Sequence, residues 1–286
     1  MPSVNSSGSP DMRLLIQHQT EYRFTIPQSR VVQMLRMTPT SHVGQNIVNW
    51  HIDVDCDARL KHSRDGFGNV VSMLYLAGPI ERIGMRVSGE VLTEDRAGVV
   101  AGTAETLPAA VFRRPTELTK APEALVDLAD RYSRSAGDDL ARAHALNSAV
   151  AGLFRCNFQR STEVRPVAEI LEAGHGCSMD LAHVLVSVAR EAGFAARFVT
   201  GYIYREDPDP QHRHAPHFWA EVDVPGFGWI GFDPANDMCP NDRYVRVAKG
   251  LDFRDAAPIS GARIGGGHEV MNVGVDVSMS QAQYHS

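Results

Sequence analysis

The stretch Gly174-His175-Gly176-Cys177-Ser178-Met179-Asp180 sets a thiol and a hydroxyl side by side behind two glycines, where an apolar run with helical spacing begins. A helix N-terminus presents unpaired N–H groups and about half a positive charge. That setting favours a thiolate, lowering a cysteine pKa from its usual ~8.5, and its amides can donate to an oxyanion. About forty residues later His217 opens the strand-like run His217-Phe218-Trp219-Ala220-Glu221-Val222, and Asp233 closes Gly228-Trp229-Ile230-Gly231-Phe232. A nucleophile, a base and an orienting carboxylate, each at the tip of its own element, is the arrangement nucleophilic acyl transfer needs.

The elements that position these residues follow from the hydrophobic pattern. Alternation predicts strands over 13–16, 31–35, 47–54, 70–76 and 83–92, separated by turn residues at Ile26-Pro27, at 41–44 and at 65–69. Several short strands at this spacing predict a small antiparallel sandwich. The character changes near 101–115. One helix is predicted from Pro122, with Leu125, Leu128, Ala129 and Tyr132 on one face, and a second carries Leu140, Ala143, Leu146, Val150 and Leu153. Asp138 or Asp139 is placed to cap the second. A third helix runs from about 179 to 192 and closes at Gly193. Strands follow over 196–204, 218–224, 229–232 and 244–248, with a loop over 206–216 that is long enough to border a site. A last strand near 271–279 fits either half.

Composition excludes several other classes of function. Of the 286 residues 43% are apolar and 22% charged, the balance of a globular chain with a sizeable core. A net charge of −6 argues against a nucleic-acid surface. No apolar run approaches the roughly 18–20 residues a membrane span requires, and the first residues lack the pattern of a signal peptide. Cys56, Cys156, Cys177 and Cys239 lie far apart without a CxxC pair, which fits a reducing, cytoplasmic setting.

The three chemical segments resemble the core of the bacterial transglutaminase-like superfamily, whose members typically show G-x-G-V-C-Q-D-F-A-H, S-H-A-W-V-E-V and G-W-V-G-F-D-P-T-N. This chain offers GHGCSMDLAH, PHFWAEV and GWIGFDPAN. Between them 190–202 resembles the family's R-x-x-G-I-P-A-R-Y-V-S-G-Y. The tail 242–253 is similar as well. His18-Gln19-Thr20-Glu21-Tyr22-Arg23-Phe24 and Asp65-Gly66-Phe67-Gly68-Asn69 resemble the β-domain that often precedes this core. The resemblance implies an α+β fold: a lead-in over 1–11, an antiparallel β-sandwich over 12–100, a papain-like, transglutaminase-like core over 101–256, and a C-terminal strand and tail over 257–286. It implies an enzyme acting on a peptide or protein amide, by hydrolysis or acyl transfer, without cofactor or metal. No nucleic-acid or membrane partner is implied.

One departure bears on the nucleophile. Without a gap, Ser178 takes the family's cysteine position and Cys177 the valine's, and Asp180 and His183 keep their distances from 178. Adjacent helical residues are rotated by roughly 100°, so both cannot face His217 equally. Three readings follow. In the first, Ser178 replaces the nucleophilic cysteine and leaves a site that binds but barely reacts, or a binding module outright. In the second, a shifted turn aims Cys177 at His217. In the third, Ser178 is itself the nucleophile. Serine ionises far less readily than a thiol and needs concerted base help, which ranks the third reading last.

Taken singly, these residues have plainer roles. Ser178 suits an N-cap, Cys177 a small buried position, and Asp233 before Pro234 a turn. His183 reads as a packed, hydrogen-bonded histidine, Asp180 as the partner of a neighbouring loop, and Trp219 and Trp229 as core. Cys56, Cys156 and Cys239 read as structural thiols. His212, His214 and His217 match no zinc spacing.

Overall fold

The computed structural model describes residues 12–133, 137–156, 163–206 and 215–280. The first half is built on two long strands, β1 (Met12–Thr38) and β4 (Val70–Thr93), antiparallel from Met12 opposite Thr93 to Thr38 opposite Val70. Period-two alternation turns Leu14, Ile16, His18, Thr20, Tyr22 and Phe24 inward, while Arg13, Leu15, Gln17, Gln19 and Arg23 face out. The register slips between Arg23 and Gln28 and again before Arg30. Irregularities of this kind bend a strand. The two halves of the pair then take different neighbours. Ahead of the bend lie β2 (Gln45–Val54), on β4, and the C-terminal β13 (Glu269–Met279), on β1. Beyond it lie β3 (Arg59–Arg64), on β4, and β12 (Ile259–Ile264), on β1. Tyr22, Phe24, Ile83 and Met85 from the first half share one core with Val31, Leu35, Leu74 and Leu76 from the second. The sandwich is thus one sheet folded over itself.

Two expectations change here. Ile26-Pro27 does not end a strand, because pairing with β4 carries the chain through it with only a register slip. The segment expected as a C-terminal strand and tail contributes two strands to the N-terminal sheet, so that domain is closed by both ends of the chain.

The second half has a five-stranded antiparallel sheet in the order β11-β8-β9-β10-β5. These strands are β5 (Val99–Val100), β8 (Ala195–Ile203), β9 (His217–Val224), β10 (Gly228–Phe232) and β11 (Tyr244–Gly250). The helices α1 (Glu123–Ser133), α2 (Asp139–Leu153) and α3 (Val167–Ala173) surround a central α4 (Ser178–Glu191); a short parallel pair, β6 (Arg155–Cys156) and β7 (His175–Gly176), precedes it. Asp138 caps α2, accepting from the Ala141 amide. Every residue of α4 from Met179 to Arg190 is buried. A helix covered on all sides is central by necessity. Gly193 lies just past its end in the left-handed region, with φ 92°. A single turn, α5 (Phe253–Ala256), leads back to the N-terminal sheet.

Leu14, Ile16, Val91 and Val275 of the N-terminal sheet enter the same apolar cluster as α4. Polar contacts fix the joint. The Gln45 side-chain amide donates to the Arg246 carbonyl (2.9 Å) and accepts from its N–H (2.7 Å). The Asn69 amide does the same at Lys249 (2.7 and 2.9 Å). Both clamp β11, the edge strand of the core sheet.

Candidate active site

Two glycines make the entry to α4 possible. Gly174 ends α3 in the left-handed region, with φ 66°, where a β-carbon is strained. A β-carbon on Gly176 would stand 2.7 Å from that of Asp180, so only glycine fits beneath the first turn. Cys177, not Ser178, is the N-cap, and Ser178 is the first helical residue, half-buried. The Cys177 N–H donates to Asp180 Oδ2 (3.0 Å), and Arg165 reaches the same oxygen (2.7 Å) from the loop before α3. That is the loop partner expected for Asp180.

The electrostatics of Cys177 differ from the expectation. Burial pushes its thiol up, and the Asp180 carboxylate adds to the effect; the amides of Asp180 and Met179 offset only part. The positive end of α4 is therefore not enough to make Cys177 a thiolate. Neither Cys177 nor Ser178 is hydrogen-bonded to His217.

His217 and Asp233 do come together. β9 and β10 are antiparallel neighbours with Ala220 opposite Phe232, so the residue after Phe232 lies across from the start of β9. His217 Nε2 meets Asp233 Oδ2 at 2.6 Å, both side chains being buried. An ionised carboxylate only accepts, so Nε2 carries the proton and Nδ1 is left as the acceptor. The turn after Asp233 completes its coordination. Oδ1 accepts from the Ala235 N–H (2.9 Å), and Oδ2 also accepts from Asn236 Nδ2 (2.6 Å) and Tyr244 Oη (2.7 Å). Burial alone would raise the Asp233 pKa. The electrostatic attraction of the His217 imidazole and the hydrogen bonds from His217, Tyr244 and Asn236 outweigh it and hold the carboxyl below its ordinary range. Burial and the Asp233 charge drive the Tyr244 phenol the other way, so it stays a donor.

Asn236 and Tyr244 escaped the sequence reading. The signal for Asn236 was present three residues beyond Asp233, at turn spacing. Tyr244 had none, because it arrives on β11 from across the sheet. Trp219 is buried as expected, and its ring also packs on that of His217, centroids 6.3 Å apart. Trp229 is covered by the Arg197 guanidinium at 3.8 Å. His183 is fully buried, stacks on Phe198 and accepts from the Phe253 N–H (3.0 Å). Cys56, Cys177 and Cys239 are free thiols. His212, His214 and the side chain of Cys156 lie outside the described residues. Among the described residues no group of three His, Cys, Asp or Glu is placed to hold a metal ion, and no helix is long and apolar enough to cross a membrane.

Both halves of the chain match known families. Residues 14–92 match the bacterial transglutaminase-like N-terminal region, and 126–234 match the core of the transglutaminase-like superfamily. The chain belongs to that superfamily. It is 27% identical to an uncharacterized protein of Mycobacterium tuberculosis, over 93% of this chain and 92% of the relative. An uncharacterized protein of Mycobacterium leprae is 25% identical, over 93% of this chain and 98% of that one. In fold it is similar to a Cytophaga hutchinsonii protein provisionally described as a cysteine protease. The TM-score is 0.76 at 17% identity, with 96% of this chain and 93% of that one covered.

Proposed function

We propose that the chain is built for acyl transfer from a peptide or protein amide, with residue 178 at the nucleophile position, His217 as base and Asp233 as its orienting carboxylate. The observation that carries this reading is the buried 2.6 Å contact between His217 Nε2 and Asp233, which leaves Nδ1 to take a proton. The nucleophile at 178 adds to the amide carbonyl as its proton passes to Nδ1. The positive end of α4 stabilises the oxyanion. Collapse expels the amine, which takes the proton back from His217. Water or a second amine then receives the acyl group, giving hydrolysis or transamidation. The raised pKa of Cys177 and its place at the N-cap support 178 over 177. The three free thiols fit the reducing, cytoplasmic setting.

A second reading is a binding module that retains the cleft and has lost the chemistry. Serine at 178, with no hydrogen bond to His217, favours it. The two readings separate on one set of variants assayed against a fluorogenic peptide amide. Ser178→Cys is expected to create or raise turnover by about 10²-fold or more, and His217→Ala in that background to abolish it with the fold unchanged by circular dichroism. A Ser178→Cys protein as inert as its parent leaves the binding module. Iodoacetamide at neutral pH is expected to label Cys177 of the parent chain no faster than Cys56; selective labelling of Cys177 would return it as nucleophile.

A further inference from the structure

A cleft opens where both sheets meet the beginnings of α4 and β9. The core lines it with Val164, Met179, Pro216, Phe218 and Phe253; the N-terminal sheet contributes Tyr22, Ile259, Met271 and Val273. His18 and Thr20 also line it, although only 1% and 2% of their surfaces are exposed. The His18 ring bridges Tyr202 Oη (2.9 Å from Nδ1) and Thr20 Oγ1 (3.2 Å from Nε2). Tyr202 stands on β8, so this chain of hydrogen bonds ties the wall made by β1 to the core and holds the two walls at one separation. Among the described residues no Asp, Glu, Lys or Arg lines the cleft.

Position connects the cleft to the candidate site. Met179 directly follows Ser178, and Pro216 directly precedes His217. Consecutive α-carbons are ~3.8 Å apart, so the backbones of 178 and 217 each lie one residue from the cleft wall, within reach of the side chain that adjoins a carbonyl held between them. The lining discriminates by chemistry. An apolar group entering it gains by leaving water, whereas a charged one loses hydration and meets no counter-charge among the described lining residues.

We propose that this cleft is the subsite for an apolar side chain of the acyl-donor peptide, and that the N-terminal sheet therefore forms part of the substrate site. The assignment rests on the amide-processing reading for its orientation, and its test is independent of turnover. Met179 and Met271 stand on opposite walls. The full chain, labelled with [methyl-13C]methionine, is titrated with N-acetyl-leucine amide, N-acetyl-phenylalanine amide and N-acetyl-aspartate amide. The two apolar amides are expected to shift both methyl signals saturably, with half-saturation at least about tenfold lower than for the aspartate amide. Val273→Asp is expected to remove the shifts and leave the other methionine signals in place. The proposal is overturned if both signals stay unmoved, if only one wall responds, if the aspartate amide is equivalent, or if the shifts follow protein concentration alone, as a second copy in the cleft would require. Turnover by Ser178→Cys without these shifts defeats the subsite and spares the reaction. Shifts without turnover defeat the reaction and leave the apolar subsite standing.

Discussion

Cys177 and Ser178 are neighbours in sequence with different surroundings. Cys177 crowns the helix, with its N–H on Asp180 and its thiol disfavoured as an anion by burial and by that carboxylate. Ser178 starts the first turn and is half-buried. His183, five residues on, shows what full burial does to an imidazole. Its Nε2 accepts from Phe253, and burial, with Arg190 and Arg254 adding to it and Asp180 opposing, holds its pKa at about 3. A histidine depressed when folded contributes stability that is complete above its unfolded value of ~6.5 and is lost as pH falls toward the folded value. The urea midpoint is therefore expected to decline as pH drops from about 6.5. His183→Gln, which keeps an acceptor, is expected to flatten most of that limb, with His42, also depressed by burial, supplying the remainder. An unchanged slope in the variant would assign the protons elsewhere.

Among the elements, β11 carries the joint between the halves. It is an edge strand, and its outward N–H and C=O groups would be left unpaired at a buried interface. Gln45 and Asn69 answer two of its residues with paired donor–acceptor contacts, the geometry of a ladder made by side chains. Thr93 adds a donor to the Asp242 carbonyl just ahead of the strand. Gln45→Ala or Asn69→Ala leaves one buried N–H and one buried C=O without a partner, at a cost of about 1–3 kcal/mol for each group. Urea unfolding at pH 7 is expected to show a loss of at least about 2 kcal/mol for either variant. A change under about 0.5 kcal/mol would mean that water fills the gap.

At the scale of the molecule, a buried charge network lies beneath the same joint. Ala220 and Val222 enter the helix-side core, so Glu221 between them faces the opposite side of the sheet. There it binds Arg197 (2.6 Å) and Arg246 (2.5 Å), all three being buried, and Gln45 holds the Arg246 backbone from the N-terminal sheet. Glu105 extends the network to Lys249 (2.7 Å) and again to Arg197 (2.8 Å). Removing one partner strands the others, so Glu221→Gln is expected to cost about 3–5 kcal/mol by chemical unfolding. Burial would raise the Glu105 pKa, but Arg197 and Lys249 bring it to about 2. The stability Glu105 contributes is therefore complete above ~4.3 and is lost only as pH falls from there toward 2. The network and the apolar interface together make the N-terminal sheet a fixed wall of the cleft beside α4.

Much was legible in the residues alone. The alternation of β1, the helical faces of α1 and α2, the glycines before α4, and the order of 177–178, His217 and Asp233 all depend on neighbours within a few positions, where periodicity and turn chemistry act. The sequence by itself determined the fold class and the family. Three matters depended on residues far apart in the chain. Pairing with β4 carries β1 through Ile26-Pro27, and pairing with β1 takes β13 to the N-terminal sheet, His18 lying opposite Val275. The sheet order brings Tyr244 to Asp233. Burial, which no local pattern measures, raises the Cys177 thiol against the pull of the helix. Tertiary structure decided these because each is set by which distant surface excludes water from a group, and local sequence carries no record of that surface.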